Sequence, residues 1–507
     1  MTAAFDRSRT CKHLHVLEST RLASKAASVL DPSDWDEFRA LGHRALDDAI
    51  DYLAGLSERP AWEAVPPEIV EELSEPLPRD PTPLADVYAQ FTRAILPYHS
   101  GNIHPRFFGW VQGSGTATGA LADFLASVMN SNVGGRNHGA VYVERAVIAW
   151  FFELFGFPPT ASGVMTLGTS AANLIAVLVA RQRALGPRVR EAGIAHGGAR
   201  LVGYASTATH SCVRRAFEVC GLGSASLRVL ATDSQHRLDP ASLERAIRED
   251  RSEGRQPFLI VGNAGTVDVG AVDPLDDLAT LAQREALWFH VDGAIGAAAI
   301  MSPSLAPRLR GIERADSIAF DFHKWLQAPY DAACLIVRDG ALHRETFATA
   351  PNYLTRMPRG LASAQPWFTD FTLDLSRGFR ALKVWFTIKE HGATKLGEAM
   401  AANVRQAQAL GDLIDADEAF ELLAPVQLNI VCFRYRGKGI EEAALDRFND
   451  DLVVRLQESG EAVASSTNVG NTRAIRICIV NQRTRDEDLV RTLAALKRLA
   501  ETPEYNR

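Results

Sequence analysis

The run Ala315-Asp-Ser-Ile-Ala-Phe-Asp-Phe-His-Lys-Trp-Leu326 constrains this chain more than any other, because an apolar strand pattern gives out there at a histidine followed directly by a lysine. An amine at such a strand end can form an imine with an aldehyde. Burial beside the strand is expected to lower the Lys324 pKa and leave the nucleophilic free amine accessible. A lone lysine at a strand end is far more often a solvated charge, so its neighbours decide.

Three neighbouring patterns point one way. Leu287-Trp-Phe-His-Val-Asp-Gly-Ala-Ile-Gly296 is a second apolar strand that delivers Asp292 at its carboxyl end. Alone, Asp292 reads equally well as a helix N-cap. Beside an aldehyde cofactor, it suits a pyridinium nitrogen whose proton a fixed carboxylate would hold. Residues 163–181 read as a strand end, a small-residue turn with Gly168, Thr169 and Ser170, and a strongly apolar helix. Free N–H groups, hydroxyls and the positive helix end suit a phosphate monoester there, although an ordinary Ser/Thr cap is the plain alternative. Ala208-Thr-His-Ser-Cys-Val-Arg-Arg-Ala216 opens another helix with His210 at its mouth, where an imidazole could stack on a pyridine ring. An aldehyde, a pyridine nitrogen and a phosphate together describe pyridoxal phosphate (PLP).

Taken in order and spacing, the phosphate turn, His210, Gly265-Thr266, Asp292 with Ala294, and His323-Lys324 resemble the PLP-dependent group II amino-acid decarboxylases. The resemblance is closest to the aromatic-L-amino-acid decarboxylase branch and runs from about residue 35 to the C-terminus. It implies that Lys324 carries the cofactor as a Schiff base and that Asp292 pairs with the ring nitrogen. Ala294 would pack on one ring face and His210 on the other. Thr169 and Ser170 would hold the phosphate, Thr266 would lie near the phenolic oxygen, and His323 would stand beside the Schiff base. The fold implied is α/β, the aspartate-aminotransferase-like PLP fold (fold type I), in an obligate homodimer with active sites at the interface.

The resemblance extends to Pro351-Asn-Tyr-Leu354, which is similar to the family's Pro-x-Tyr-Leu; there the tyrosine gives a proton to the substrate carbon. Family members that are aldehyde synthases typically carry Phe at that position. From the residues themselves, a long Pro/Gly/Ser-containing connection from about Asp339 to Gln365 reads as an active-site lid. Decarboxylation leaves a carbanion equivalent that a phenol can protonate, so Tyr353 joins Lys324, Asp292 and His210 as a catalytic candidate. Ser376-Arg-Gly-Phe-Arg-Ala-Leu-Lys-Val-Trp-Phe386 resembles the family's Arg-x-Phe-Arg-x-Leu-Lys-x-Trp. Arg377 there either meets a substrate carboxylate or makes a structural ion pair.

Departures from the aromatic branch bear on substrate. Trp110, Val111 and Gln112 stand where aromatic decarboxylases show Tyr-Phe-Pro, so the substrate candidates are Trp110, Val111 and Arg377 in a rebuilt pocket. The polar segment Asn130 to His138 replaces an apolar stretch that usually reaches across the dimer interface, and its Asn-Ser-Asn is similar to acidic-amino-acid decarboxylases. If it faces the substrate, it would set a narrow preference. Asp321-Phe322 replaces the more common Asn-Pro, which should alter phosphate contacts and leave the Schiff-base position intact. The expectation is decarboxylation of an L-amino acid, aromatic or bulky apolar by preference, to the primary amine. The alternatives are acidic or aliphatic substrates, transamination, an aldehyde synthase, or a PLP-binding regulator without catalysis.

A length of 507 residues implies more than one domain. Residues 1–100 read as a flexible lead followed by Pro-punctuated helices that clasp a partner subunit. Residues 101–395 alternate apolar runs with helical patterns, which signals a mainly parallel, helix-covered sheet holding PLP. Residues 396–507 read as a small C-terminal α/β domain with an antiparallel sheet. The net charge of -7 argues against a nucleic-acid partner. Six cysteines without metal-ligand spacing read as reduced, buried thiols and no metal site. No apolar stretch has the length of a membrane span and no signal-peptide core opens the chain, so a cytoplasmic enzyme acting on a small-molecule amino acid is expected.

Overall fold

The computed structural model describes residues 30–194, 200–349, 355–437 and 440–502. The chain divides into two compact units at Ala54/Gly55. The first contains helix α1 (Trp35–Ala54), whose first turn is capped by the Asp34 carboxylate accepting from the N–H groups of Asp36 and Glu37. Trp35, Phe38, Leu46 and Ile50 of α1 are exposed. The segment 1–100 therefore does not hold together as one piece: Ala61 N–H donates to the Gly460 carbonyl, and Ala61 packs with Phe107 and Val463 inside the second unit.

The second unit is built on two sheets. Seven strands, β1 (Ser162–Thr166), β2 (Leu201–Ser206), β3 (Leu227–Leu230), β4 (Gln256–Asn263), β5 (Trp288–Asp292), β6 (Ser317–Asp321) and β7 (Ala333–Val337), lie in the order β1-β7-β6-β5-β4-β2-β3. Pairs within β3-β2-β4-β5-β6 are parallel, while β7 runs antiparallel to both its neighbours. Continuous apolar runs such as Phe258-Leu-Ile-Val261 make these strands, because helices bury both faces. On one face Phe151 and Phe155 of a helix over Gly139–Leu154 meet Phe320 at 4.9 and 5.4 Å between ring centroids.

The second sheet is antiparallel: β8 (Phe420–Leu422), β9 (Ile430–Tyr435), β10 (Ser465–Val469) and β11 (Thr472–Cys478), in the order β10-β11-β9-β8. A helical stretch over Ala381–Asp415, interrupted at Gly392 with φ of 71°, leads from the first sheet to the second. Both sheets belong to one compact unit, so the boundary at 395/396 falls inside it, within that helical stretch. The Asp339–Gln365 connection is not all loop. It begins with a helix over Gly340–Phe347, which Asp339 caps by accepting from Leu342 N–H.

Candidate active site

In open α/β sheets, ligands bind beyond the carboxyl ends of the parallel strands. Here β1 runs out toward Gly168, β2 toward His210, β4 toward Thr266, β5 into Asp292 and β6 into Asp321 and Lys324. These ends surround a cleft of about 430 Å³. Thr169, Ser170, His210, Thr266, Asp292, Ala294, His323 and Lys324 all line it, and Trp110, Val111 and Gln112 close one side. Gly113 explains how that segment comes so close. A Cβ there would stand 2.2 Å from the His323 carbonyl oxygen and 2.4 Å from that of Lys324, so only glycine fits.

Asp292 is held by a hydrogen-bonded chain whose direction its own acceptor-only carboxylate sets. Trp288 can only donate, and its Nε1 gives a hydrogen to Ser317 Oγ at 2.8 Å. Because the Asp292 carboxylate accepts from the Asn173 amide nitrogen, at 2.9 Å, Asn173 Oδ1 faces His290 and takes its Nε2 proton, at 2.8 Å, so Ser317 Oγ–H donates to His290 Nδ1 at 2.8 Å. Burial keeps His290 neutral, with a pKa pulled down to about 4. Burial also raises the Asp292 pKa, beyond what Asn173 and Lys324 take back, so a cationic partner in the cleft would find the carboxylate short of charge compensation.

Lys324 differs from expectation. Burial does pull its pKa down, but the charge and hydrogen bond of Asp321, with Asp292 beyond, outweigh it and raise the ammonium above its ordinary value. Nζ lies 2.8 Å from Asp321 Oδ2. Burial likewise pushes the Asp321 pKa up, yet Lys324 and His323 more than reverse this and hold it below the usual value. The free amine foreseen from burial alone is thus an ion-paired ammonium.

The opposite carboxylate oxygen, Asp321 Oδ1, accepts from Thr169 N–H at 2.8 Å, at the start of helix α2 (Thr169–Leu185). The buried Thr169 hydroxyl helps keep Asp321 charged through a weak hydrogen-bonding interaction and has no close partner besides. A buried hydroxyl held only weakly at a helix start facing a cleft fits a phosphate oxygen. His323 Nδ1 accepts from Ala332 N–H, so its other nitrogen carries the proton, and the Tyr330 ring packs against it, tilted by 33°, at 4.4 Å between centroids. His210 caps its helix, Nδ1 accepting from Cys212 N–H, and its exposed ring faces the cleft. The residues present therefore fit PLP: a carboxylate for the ring nitrogen, an amine for the aldehyde, a hydroxyl-lined helix start for the phosphate.

Two expectations change. Arg377 does not reach the cleft. It is buried against Glu144 in a two-pronged ion pair and donates further to the carbonyls of Val133 and Met165, which is the structural role and not a substrate contact. The segment Asn130 to His138 does not line the cleft of its own chain either. Asn132 Oδ1 instead accepts from the N–H groups of Gly134 and Arg377. Tyr353 lies outside the described residues.

Sequence reasoning missed Asn173, Tyr330 and Arg476. Arg476 faces the cleft from β11, held by Nε to Ser465 Oγ at 3.2 Å and by Nη1 to the Val267 carbonyl at 2.6 Å. Its signal was an arginine inside the apolar run Ala474-Ile-Arg-Ile-Cys-Ile-Val480.

Residues 66–436 match the family model described as the pyridoxal-dependent decarboxylase conserved domain. An aromatic-L-amino-acid decarboxylase of Bacillus atrophaeus is 34% identical over 472 residues, covering 92% of this chain and 96% of that protein. A phenylacetaldehyde synthase of Petunia hybrida is 29% identical, covering 90% and 92%. Among solved structures, Oryza sativa TDC with PLP and tryptamine superposes with a TM-score of 0.85 at 28% identity, covering 93% of this chain and 99% of that one. With that match across most of its length and a cleft that fits the cofactor, the chain belongs to the pyridoxal-dependent decarboxylase family and is a PLP-dependent amino-acid decarboxylase.

Proposed function

We propose that this enzyme converts an aromatic L-amino acid to its primary amine and carbon dioxide. The observation that carries the proposal is the apolar part of the cleft lining: Trp110, Val111, Val267 and Tyr330 belong to it, together with the Arg476 cation. Planar side chains fit among aromatic and branched apolar groups, and a substrate carboxylate suits a fixed guanidinium. The Bacillus atrophaeus relative is an aromatic decarboxylase, which points the same way.

When bound, PLP supplies an aldehyde for the substrate amine and a ring that takes up the electron pair left by departing carbon dioxide. Lys324 would hold the aldehyde until substrate displaces it. Asp292, kept in place by Asn173, would hold a proton on the ring nitrogen. Thr169 and Ser170 would anchor the phosphate, His323 would stand beside the aldehyde, and His210 and Ala294 would face the two sides of the ring. Tyr353 would deliver the final proton to the α-carbon. This last role separates the amine from the aldehyde formed by synthases, which the Petunia hybrida relative represents.

A homodimer is part of the proposal. Leu121, Phe124, Leu125 and Val128 form an i, i+3, i+4, i+7 stripe on the helix over Ala117–Met129, and all four are exposed in the single chain. An apolar stripe of this kind fits burial against a second copy. A cytoplasmic location accords with the five described cysteines, all unpaired and buried. No described helix is long and apolar enough to cross a membrane.

Measuring kcat/KM for phenylalanine, tyrosine, tryptophan, L-DOPA, valine and glutamate tests the substrate class. An aromatic amino acid should lead by at least about tenfold, a difference of roughly 1.4 kcal/mol. Glutamate or valine in the lead would overturn it.

A further inference from the structure

The start of α2 already holds an anion of the protein's own. Asp321 reaches from the end of β6 to accept the first helical N–H, that of Thr169, at 2.8 Å, and its second oxygen lies 2.8 Å from Lys324 Nζ. It is 3% exposed, so water screens these contacts little. One carboxylate thus engages both a hydrogen-bond donor of the phosphate cradle and the amine that must receive the aldehyde. The Thr169 hydroxyl beside it interacts only weakly with Asp321 and has no other partner. Gly168 leaves the rest of the cradle open: a Cβ there would come to 3.7 Å from the His323 ring and 4.0 Å from Asp321 Oδ1.

We propose that Asp321 is a resident anion in the phosphate cradle and a counter-ion to Lys324, so that the cofactor's phosphate binds against it and its affinity is set lower than the cradle alone would give. The proposal rests on the reading of Thr169 and Ser170 as the phosphate site. Its physical basis is charge. A phosphate brought to the Thr169 hydroxyl shares a buried space with a carboxylate of the same sign, and tying Lys324 to the aldehyde makes it a weaker base and so a weaker counter-ion for that carboxylate. The groups that act on Asp321 are Lys324 and His323 in the turn that follows it, Tyr330 beyond them, and Thr169 from α2; Asp292 acts on the same lysine from β5. Only Lys324 among them brings a full positive charge within hydrogen-bond distance.

The test uses apoenzyme titrated with PLP, with pyridoxal, which lacks the phosphate, and with inorganic phosphate. Asp321→Asn keeps the shape and an acceptor for Thr169 N–H while removing the charge. It should raise the ratio of PLP affinity to pyridoxal affinity by about tenfold or more, and should tighten inorganic phosphate in the same direction. An unchanged or smaller ratio would overturn the proposal. Thr169→Val tests the site itself: if the ratio ignores this change, the phosphate lies elsewhere and the reading beneath the proposal fails instead. Should Asp321→Asn not fold, the ³¹P resonance of PLP bound to the wild-type protein serves. A neighbouring carboxylate opposes the second ionisation of the phosphate, so the resonance should titrate at a pH above that of free PLP. A resonance fixed at the dianion position from about pH 6 upward would overturn the proposal as surely.

Discussion

Asn173 Nδ2 donates to Asp292 Oδ2 over 2.9 Å, and the acceptor-only carboxylate fixes the amide this way round and, behind it, the direction of the chain through His290 and Ser317 to Trp288. Asp292 therefore keeps its orientation without a charged partner of its own. Asn173→Leu preserves bulk and removes the donor, leaving a buried carboxylate oxygen unsatisfied at a cost of about 1–3 kcal/mol. Fluorescence titration of the apoenzyme should show PLP affinity falling by roughly ten- to a hundredfold. Unaltered affinity would mean that the chain does not support the cofactor.

Under the proposed function, Arg476 would separate substrate from product. The amino acid carries a carboxylate and the amine does not. Arg476→Met should lower kcat/KM by about a hundredfold, in line with the loss of a charge-assisted hydrogen bond of roughly 3 kcal/mol, while inhibition by the product amine stays near its wild-type value. Equal weakening of both would assign Arg476 to packing between β10 and β11.

Glu144 and Arg377 are both almost fully buried, so removing one charge leaves the other without compensation. Glu144→Gln should cost about 3–5 kcal/mol of stability. Thermal unfolding should shift downward while KM of the surviving enzyme holds. A raised KM with unchanged thermal stability would return Arg377 to the substrate.

Stability should also fall in mild acid. Burial lowers the pKa of His104 and His290 to about 4 and that of His343 to about 3, whereas an unfolded histidine titrates near 6.5. The unfolded chain therefore takes up protons first as pH drops. The contribution of these neutral rings is complete above about pH 6.5 and is lost progressively on descent toward about pH 4. It amounts to several kcal/mol in total, since each ring contributes on the order of 1.4 kcal/mol for every pH interval of one that separates its folded and unfolded titrations. Urea midpoints at about pH 7, 6 and 5 should decline in that order; a flat series would contradict the assignment of these rings as neutral.

What the sequence made legible was whatever sat at the end of an apolar run. Asp292, Lys324, Thr169 and His210 each follow a strand or open a helix, and the parallel sheet brings those ends together because its carboxyl edge is one place. Asn173 lay inside an apolar helix and Arg476 inside an apolar strand, where a single polar residue marks a buried partner without naming it. The charge state of Lys324 depends on burial set against Asp321, and only a distance decides which prevails. Arg377 matched a motif, yet nothing in the motif distinguishes a substrate carboxylate from that of Glu144, which lies 233 positions earlier in the chain.

In the proposed reaction Tyr353 would decide which product leaves the enzyme, so the amine-to-aldehyde ratio from one aromatic amino acid, measured for the wild type and for Tyr353→Phe, tests the account most directly. The wild type should release amine and carbon dioxide in equal amounts without peroxide. The variant keeps the ring and lacks the acidic hydroxyl, so water and molecular oxygen should be consumed and aldehyde, ammonia and hydrogen peroxide should appear with the carbon dioxide. A wild type that makes aldehyde, or a variant that is slower but still makes only amine, would contradict it.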